Sequence, residues 1–229
     1  MQRRKFLLFL IMIFIFPHFC WGSTEDKRVL AAIKVLSKVM KGPEGKAPRY
    51  LLAHSRGVLI LPGVKKIGFI AGVKRGKGII VLKDKNNNWL PPSFISIHGG
   101  SFGFQIGAKS SDILIILMTD KAVKQFSKNK IKLGADIGIA AGPVGKEIGI
   151  SQENLFKVDA FSYVYEKGLF AGAILSGSVI SQDENANANF YGEKITLNDI
   201  INGRKVKLPP VAVELLKTLK NFCENKGTP

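Results

Sequence analysis

The sequence predicts an α+β fold: a strongly bent, glycine-rich antiparallel sheet or partial barrel flanked by N- and C-terminal helices. Three observations predict it. Apolar residues recur at helical spacing near both ends of the chain, and residues 57–180 alternate short Ile-, Val- and Phe-rich runs with glycine and polar turns. Through that middle region, glycines four residues apart recur at regular intervals.

The first helix begins at Ser23-Thr24-Glu25-Asp26, a start signal with a capping hydroxyl and acidic residues for the first turn. It runs to about Lys41, with Val29, Ala32, Ile33, Leu36, Val39 and Met40 on one face and Lys27, Lys34, Lys38 and Lys41 on the other. A Gly/Pro segment at 42–48 interrupts, and a short helix is expected at 49–54. The runs 57–61, 78–82 and 113–117 read as strands, and their close spacing favours antiparallel pairing. Asn86, Asn87 and Asn88 form a turn before Trp89. Residues 120–130 read as a helix with Asp120 as its N-cap. Pro209 and Pro210 open a last helix whose Ala212, Leu215, Leu216, Leu219 and Phe222 make an apolar stripe.

The paired glycines are Gly68/Gly72, Gly103/Gly107 and Gly138/Gly142, each 35 residues after the last, and then Gly168/Gly172 after 30 more. On a strand, a spacing of four places both glycines on one face. Two bare positions there admit a second backbone, an aromatic ring or a ligand, or serve the bends and bulges that curve a sheet.

Residues 1–22 have the three parts of a secretory signal: Arg3, Arg4 and Lys5, an uncharged apolar run from Phe6 to Phe16, and small residues suited to cleavage after Gly22. The apolar run is shorter than the roughly 20 residues a membrane helix needs. Cys20 follows His18 and Phe19, a poor context for lipidation, so the expected destination is the periplasm or the exterior and not a lipoprotein anchor. Residues 23–229 are expected to form a single domain. Without the leader, 31 basic residues face 17 acidic ones, a net charge of +14. Such an excess attracts anionic lipid, other polyanions or an acidic protein, and export argues against nucleic acid. With only Cys223, His54 and His98 left beyond the leader, neither an internal disulfide nor a zinc site is expected, and no cofactor is indicated.

Catalytic motifs fail on their context. Gly99-Gly100-Ser101-Phe102-Gly103 fits the spacing of a nucleophile elbow, but the elbow needs a helix after the serine and a histidine late in the chain. Here residues 102–107 read as a strand, and no histidine follows His98. Gly142-Pro143-Val144-Gly145-Lys146 is two residues short of a phosphate-binding loop and lacks its Ser or Thr. Asp112, Asp120, Asp136 and Asp159 offer carboxylates, but nothing selects a pair. Trp89 reads as a packed aromatic, His54 as a helix-end residue and His98 as a strand-end or turn residue.

Two basic features remain. Lys65, Lys66, Lys74, Arg75 and Lys77 surround an expected glycine-rich hairpin, with Lys83 and Lys85 at the next turn. If the hairpin projects, its cations suit anionic head groups; otherwise it is an ordinary solvated loop. The lysine-lined first helix fits either an interfacial helix or a surface helix packed on a sheet.

The stretches 57–72 (GVLILPGVKKIGFIAG), 99–108 (GGSFGFQIGA), 140–145 (AAGPVG) and 165–172 (YEKGLFAG) together resemble the SYLF-domain family, in the family's order and over about residues 30–219. The resemblance implies lipid binding without enzymatic activity. Eukaryotic members bind phosphoinositides, partly through an amphipathic N-terminal helix, and some bind or bundle actin; secreted bacterial members are regarded as envelope lipid-binding proteins. The short leader and lone-domain layout imply a bacterial source. The expected function is therefore a non-enzymatic exported protein that binds anionic lipid through Lys27, Lys34, Lys38, Lys41, Lys65, Lys66, Lys74, Arg75 and Lys77. Leu36 and Val39 are expected to enter the membrane boundary. The alternative is an interaction module for an acidic protein, with actin-regulator-like behaviour only where a eukaryotic host is within reach.

Overall fold

Ser23 closes the start of the first helix. Its hydroxyl accepts from the Asp26 N–H at 3.0 Å while the Asp26 carboxylate accepts from the Ser23 N–H at 2.9 Å, a capping box that opens α1 (Thr24–Lys41) where expected. This is a computed structural model, and it describes residues 23–43, 45–68, 71–102, 107–143, 157–166, 169–172 and 175–224. The leader, residues 1–22, lies outside the described residues.

The second helix, α2 (Lys46–His54), starts three residues earlier than expected. Pro48 falls in its first turn, where the missing N–H has no intrahelical acceptor to lose, so it does not end the helix. Then come β1 (Gly57–Gly68), β2 (Ala71–Leu82), β3 (Ser93–Phe102) and β4 (Gly107–Leu117); β1, β2 and β4 are longer than the apolar runs that announce them. The helix α3 (Asp120–Gln125) is shorter than expected, and its cap is Thr119, whose hydroxyl accepts from the Ala122 N–H at 3.1 Å; Asp120 is the first helical residue. Lys130, expected to end that helix, instead opens β5 (Lys130–Lys132). The remaining strands are β6 (Ile139–Ala141), β7 (Ala160–Glu166), β8 (Leu169–Gly172) and β9 (Val179–Gln182). Two helices unannounced by periodicity, α4 (Glu184–Tyr191) and α5 (Leu197–Ile201), precede α6 (Pro210–Glu224).

The strands form one sheet in the order β5-β9-β3-β2-β1-β4-β7-β6, with β8 added to β7. Every pairing is antiparallel except β6 with β7. The sheet is strongly curled into a half-barrel, and its two faces carry separate cores. On one face Val58, Ile60, Ile79, Val81, Leu114 and Ile116 pack under α1, α2, α4 and α6. On the other, Leu59, Leu61, Ile80, Ile97, Ile115, Ile131 and Ile180 from strands far apart in the sheet meet one another, which places this core inside the curl. His98 lies within β3, not at a strand end, and its ring nitrogen is 3.1 Å from the Ser96 hydroxyl.

The glycine pairs do not share one role. Gly68 ends β1 and Gly72 follows the start of β2; they face each other across the hairpin instead of sharing a strand face. Gly103 and Gly168 lie outside the described residues. Gly138 and Gly142 flank β6, and a Cβ on Gly142 would sit 2.1–2.5 Å from three atoms of the Tyr163 ring. There the glycine is a seat for an aromatic ring.

Candidate functional site

The cations around the predicted hairpin are sorted onto two faces by one bulge. In β1, Leu59 and Leu61 point into the curl, so strict alternation would send Lys65 the same way and Lys66 outward. Both pairings of β1 shift register between Ile60 and Lys65, however. Gly63 lies in that shift with φ +56° and donates its N–H to the Asp112 carboxylate at 3.0 Å. The extra residue re-phases the strand. Val64 joins the inner core, and Lys66 follows it to the inner face.

On the inner face, Lys66 stands opposite Lys74 of β2 on one side and Lys109 of β4 on the other. Three ammonium groups therefore lie in a row across adjacent strands, an arrangement that like-charge repulsion disfavours. Lys74 donates to the Ser178 hydroxyl at 3.4 Å, and burial first, with the Lys66 charge second, pulls its pKa below the usual lysine value. Among the described residues, Glu166 reaches the row: it pairs with Lys109 at 3.2 Å and accepts from the Ser111 hydroxyl at 3.4 Å.

On the outer face, Lys65 stands opposite Arg75, and one pair nearer the tip Ile67 stands opposite Val73. These two aliphatic side chains are 60 % and 64 % exposed, the most open of the large apolar residues among those described. An exposed apolar pair at the end of a hairpin, with a basic pair behind it and a basic row on the reverse face, combines apolar contact area with attraction for anions.

The first helix crosses the outer face at the base of this hairpin. Arg28 meets Asp183 at 3.0 Å, and Asp183 also pairs with Lys77 of β2 at 3.3 Å. Further along the helix, Lys38 reaches Asp112 of β4 at 3.6 Å and lies 3.6 Å from the Tyr165 ring centroid. Lys77 and Lys38 are thus tied into the fold, while Lys27, Lys34 and Lys41 are exposed. The expectation that Leu36 and Val39 enter a membrane is corrected here: they are 0 % and 5 % exposed, packed in the helix-covered core with Val29, Ala32, Val35 and Met40. Exposing that face would cost on the order of 10 kcal/mol, comparable with the whole stability of a domain.

Lys83 and Lys85 are not part of this site. They follow β2 at its other end, about 35 Å from the hairpin tip by strand rise. Lys109 was missed from sequence, because only the β1–β4 register brings it beside Lys66, 43 residues earlier. Ser101 lies within β3, which continues to Phe102, and the next described element is a strand, β4, not the helix an elbow needs. Among the described residues no cluster of His, Cys, Asp and Glu could hold a metal ion, and no helix is long and apolar enough to cross a membrane.

A family model described as "Ysc84: Las17-binding protein actin regulator" matches residues 98–222. The chain is 36 % identical over 211 residues to Protein YSC84 of Saccharomyces cerevisiae, covering 89 % of this chain and 44 % of the relative. It is 32 % identical over 205 residues to SH3 domain-containing YSC84-like protein 1 of Homo sapiens, covering 88 % and 59 %. LAS seventeen-binding protein 3 of Saccharomyces cerevisiae is 33 % identical over 211 residues, covering 89 % and 45 %. The chain spans about half the length of the relatives it matches. The β1–β2 hairpin precedes the segment that the family model matches, so its cations stand on geometry alone.

Proposed function

We propose, for a chain that belongs to the Ysc84 family of SYLF-domain proteins, that it is a non-enzymatic binder of anionic membrane surfaces and that the β1–β2 hairpin end is its contact. One observation carries this reading: exposed Ile67 and Val73 lie beside Lys65 and Arg75, with Lys66, Lys74 and Lys109 in a row behind them. The aliphatic pair supplies area for the acyl boundary, and the cations supply attraction to head groups. The inner lysines add their positive charge to that attraction. The exposed Lys27, Lys34 and Lys41 of α1 add long-range attraction without leaving the fold. The leader motif at 1–22 supports export to the periplasm or exterior as the setting.

Co-sedimentation of the chain from Ser23 onward with anionic and neutral vesicles tests the proposal. Binding to the anionic set alone, weakening between low and moderate salt, is the expected result. Equal, salt-insensitive binding to neutral vesicles would overturn it. A second reading, a protein-interaction module, rests on the family's description as a Las17-binding actin regulator. A stoichiometric complex with an acidic protein that lipid does not displace would favour that reading.

A further inference from the structure

The end of the sheet opposite the hairpin carries a different feature. Between α2, the turn after β2 and the C-terminal helix lies an open cavity of about 650 Å³, within the roughly 300–1,000 Å³ typical of small-molecule sites. Its apolar lining comes from Trp89, Leu208, Val213 and Leu216, and its cations from Lys83, Lys217 and Lys220. The α6 residues share one face, because 213, 216, 217, 220 and 223 recur at three- and four-residue steps. Val213 is 51 % exposed although it faces this cavity, so its side chain has no apolar cover.

Apolar and cationic side chains meet along that face: Leu208 lies just before α6, Val213 and Leu216 are followed directly by Lys217, and Lys220 lies about 10 Å further along the axis from Val213. Glu224 also lines the cavity, but it is paired with Lys220 at 3.7 Å, which leaves a net positive rim. Lys83 donates to the Leu52 and Ala53 carbonyls, both at 3.2 Å, and stands 4.6 Å from the Trp89 ring centroid. It fixes the indole as one wall. Lys217 makes no ion pair among the described residues.

We infer that this groove binds a single-chain anionic amphiphile, with the acyl chain on Trp89, Val213 and Leu216 and the head group on Lys217 and Lys220. An apolar lining with a net positive rim matches such a molecule, and that rim disfavours uncharged or cationic ones. This site is remote from the hairpin and does not rest on the membrane reading.

Cys223 supplies a built-in reporter, since its thiol lines the groove against the Trp89 indole and the Leu52 carbonyl. In the full chain, alkylation at Cys223 is followed by peptide mass spectrometry at mildly alkaline pH, without and with laurate, dodecyl phosphate or dodecanol below their aggregation limits. The expected result is that laurate or dodecyl phosphate slows alkylation about tenfold at saturation and dodecanol protects far less. Which of the two anions protects better tells a carboxylate head from a phosphate head. Lys217→Ala with Lys220→Ala raises the half-protecting concentration about tenfold, the scale of a lost charge-assisted contact. Val213→Asp, at an exposed position, abolishes protection, whereas Ile67→Ser with Val73→Ser leaves it unchanged. Unaltered alkylation in both anions, protection by dodecanol equal to theirs, or protection that survives the double alanine change would overturn the inference.

Discussion

Substituting Gly142 by alanine tests whether this glycine at the end of β6 is a seat for an aromatic ring. The new methyl carbon would lie 2.1, 2.4 and 2.5 Å from three ring atoms of Tyr163, well inside van der Waals contact. Ring displacement is not cheap here. Tyr163 is 1 % exposed, and its hydroxyl donates to the Pro143 carbonyl at 3.2 Å, so the ring is held at its far end as well as at its root. The same burial drives its phenol pKa far above the normal value, which keeps that donor protonated. Overpacking in a closed core costs about 1–3 kcal/mol, and a ring pinned at both ends belongs at the upper limit. For a chain of this size, about 3 kcal/mol lowers Tm by roughly 6–12 °C. Urea unfolding of Gly142→Ala measures the loss, and repeating it in a Tyr163→Leu background completes a double-mutant cycle. If the clash is the cause, the alanine penalty falls below about 1 kcal/mol once the ring is gone. Equal penalties in the two backgrounds, or a loss under about 0.5 kcal/mol in the parent, would refute the seat.

Two further predictions concern the joints between helices and sheet. Asn187 is fully buried in α4; its carbonyl accepts from the Phe94 N–H at 2.9 Å, and its amide donates to the Ser93 hydroxyl at 3.0 Å. Asn187→Leu leaves those β3 groups unmatched, so urea unfolding should show a loss of about 2–4 kcal/mol; a change under about 1 kcal/mol would contradict this role. Asp183 joins three elements through Arg28 of α1, Lys77 of β2 and the Ala186 N–H of α4. Burial works to raise its pKa, but the hydrogen bond and charge of Arg28, the Ala186 N–H and the Lys77 charge together hold it below the usual carboxylate value. A depressed folded-state pKa contributes stability above the unfolded pKa and loses it as pH falls through the folded one. Thermal unfolding between about pH 5 and pH 3 should therefore cost the parent more than Asp183→Asn, and parallel curves would count against the linkage.

What the sequence made legible follows from local chemistry. The capping box at Ser23, the lysine stripe of α1, the asparagine turn before Trp89 and the proline start of α6 all depend on residues within a few positions of one another. The hairpin cations were legible as a group for the same reason. What stayed hidden depends on long-range pairing. The helix α4 is asparagine-rich and has little apolar periodicity; its Asp183 cap is local, but the Asn187 bonds to β3 are formed across more than 90 residues. The face taken by each hairpin lysine depends on the bulge at Gly63, which a short run of apolar residues does not reveal. Lys109 enters the site only through strand register. The amphipathic pattern of α1 suits a membrane or a sheet equally well, and tertiary burial decides for the sheet.

The hairpin end, and not the apolar face of α1, is proposed to meet the membrane. An environment-sensitive fluorophore attached through Ile67→Cys reports on it directly, with Lys85→Cys at the far end of β2 as the control and the native Cys223 replaced by serine in both. On anionic vesicles a blue-shifted, brighter emission is expected at position 67, quenched by nitroxide-labelled lipid, with position 85 unchanged. Vesicle binding that leaves the probe at position 67 in water would contradict it.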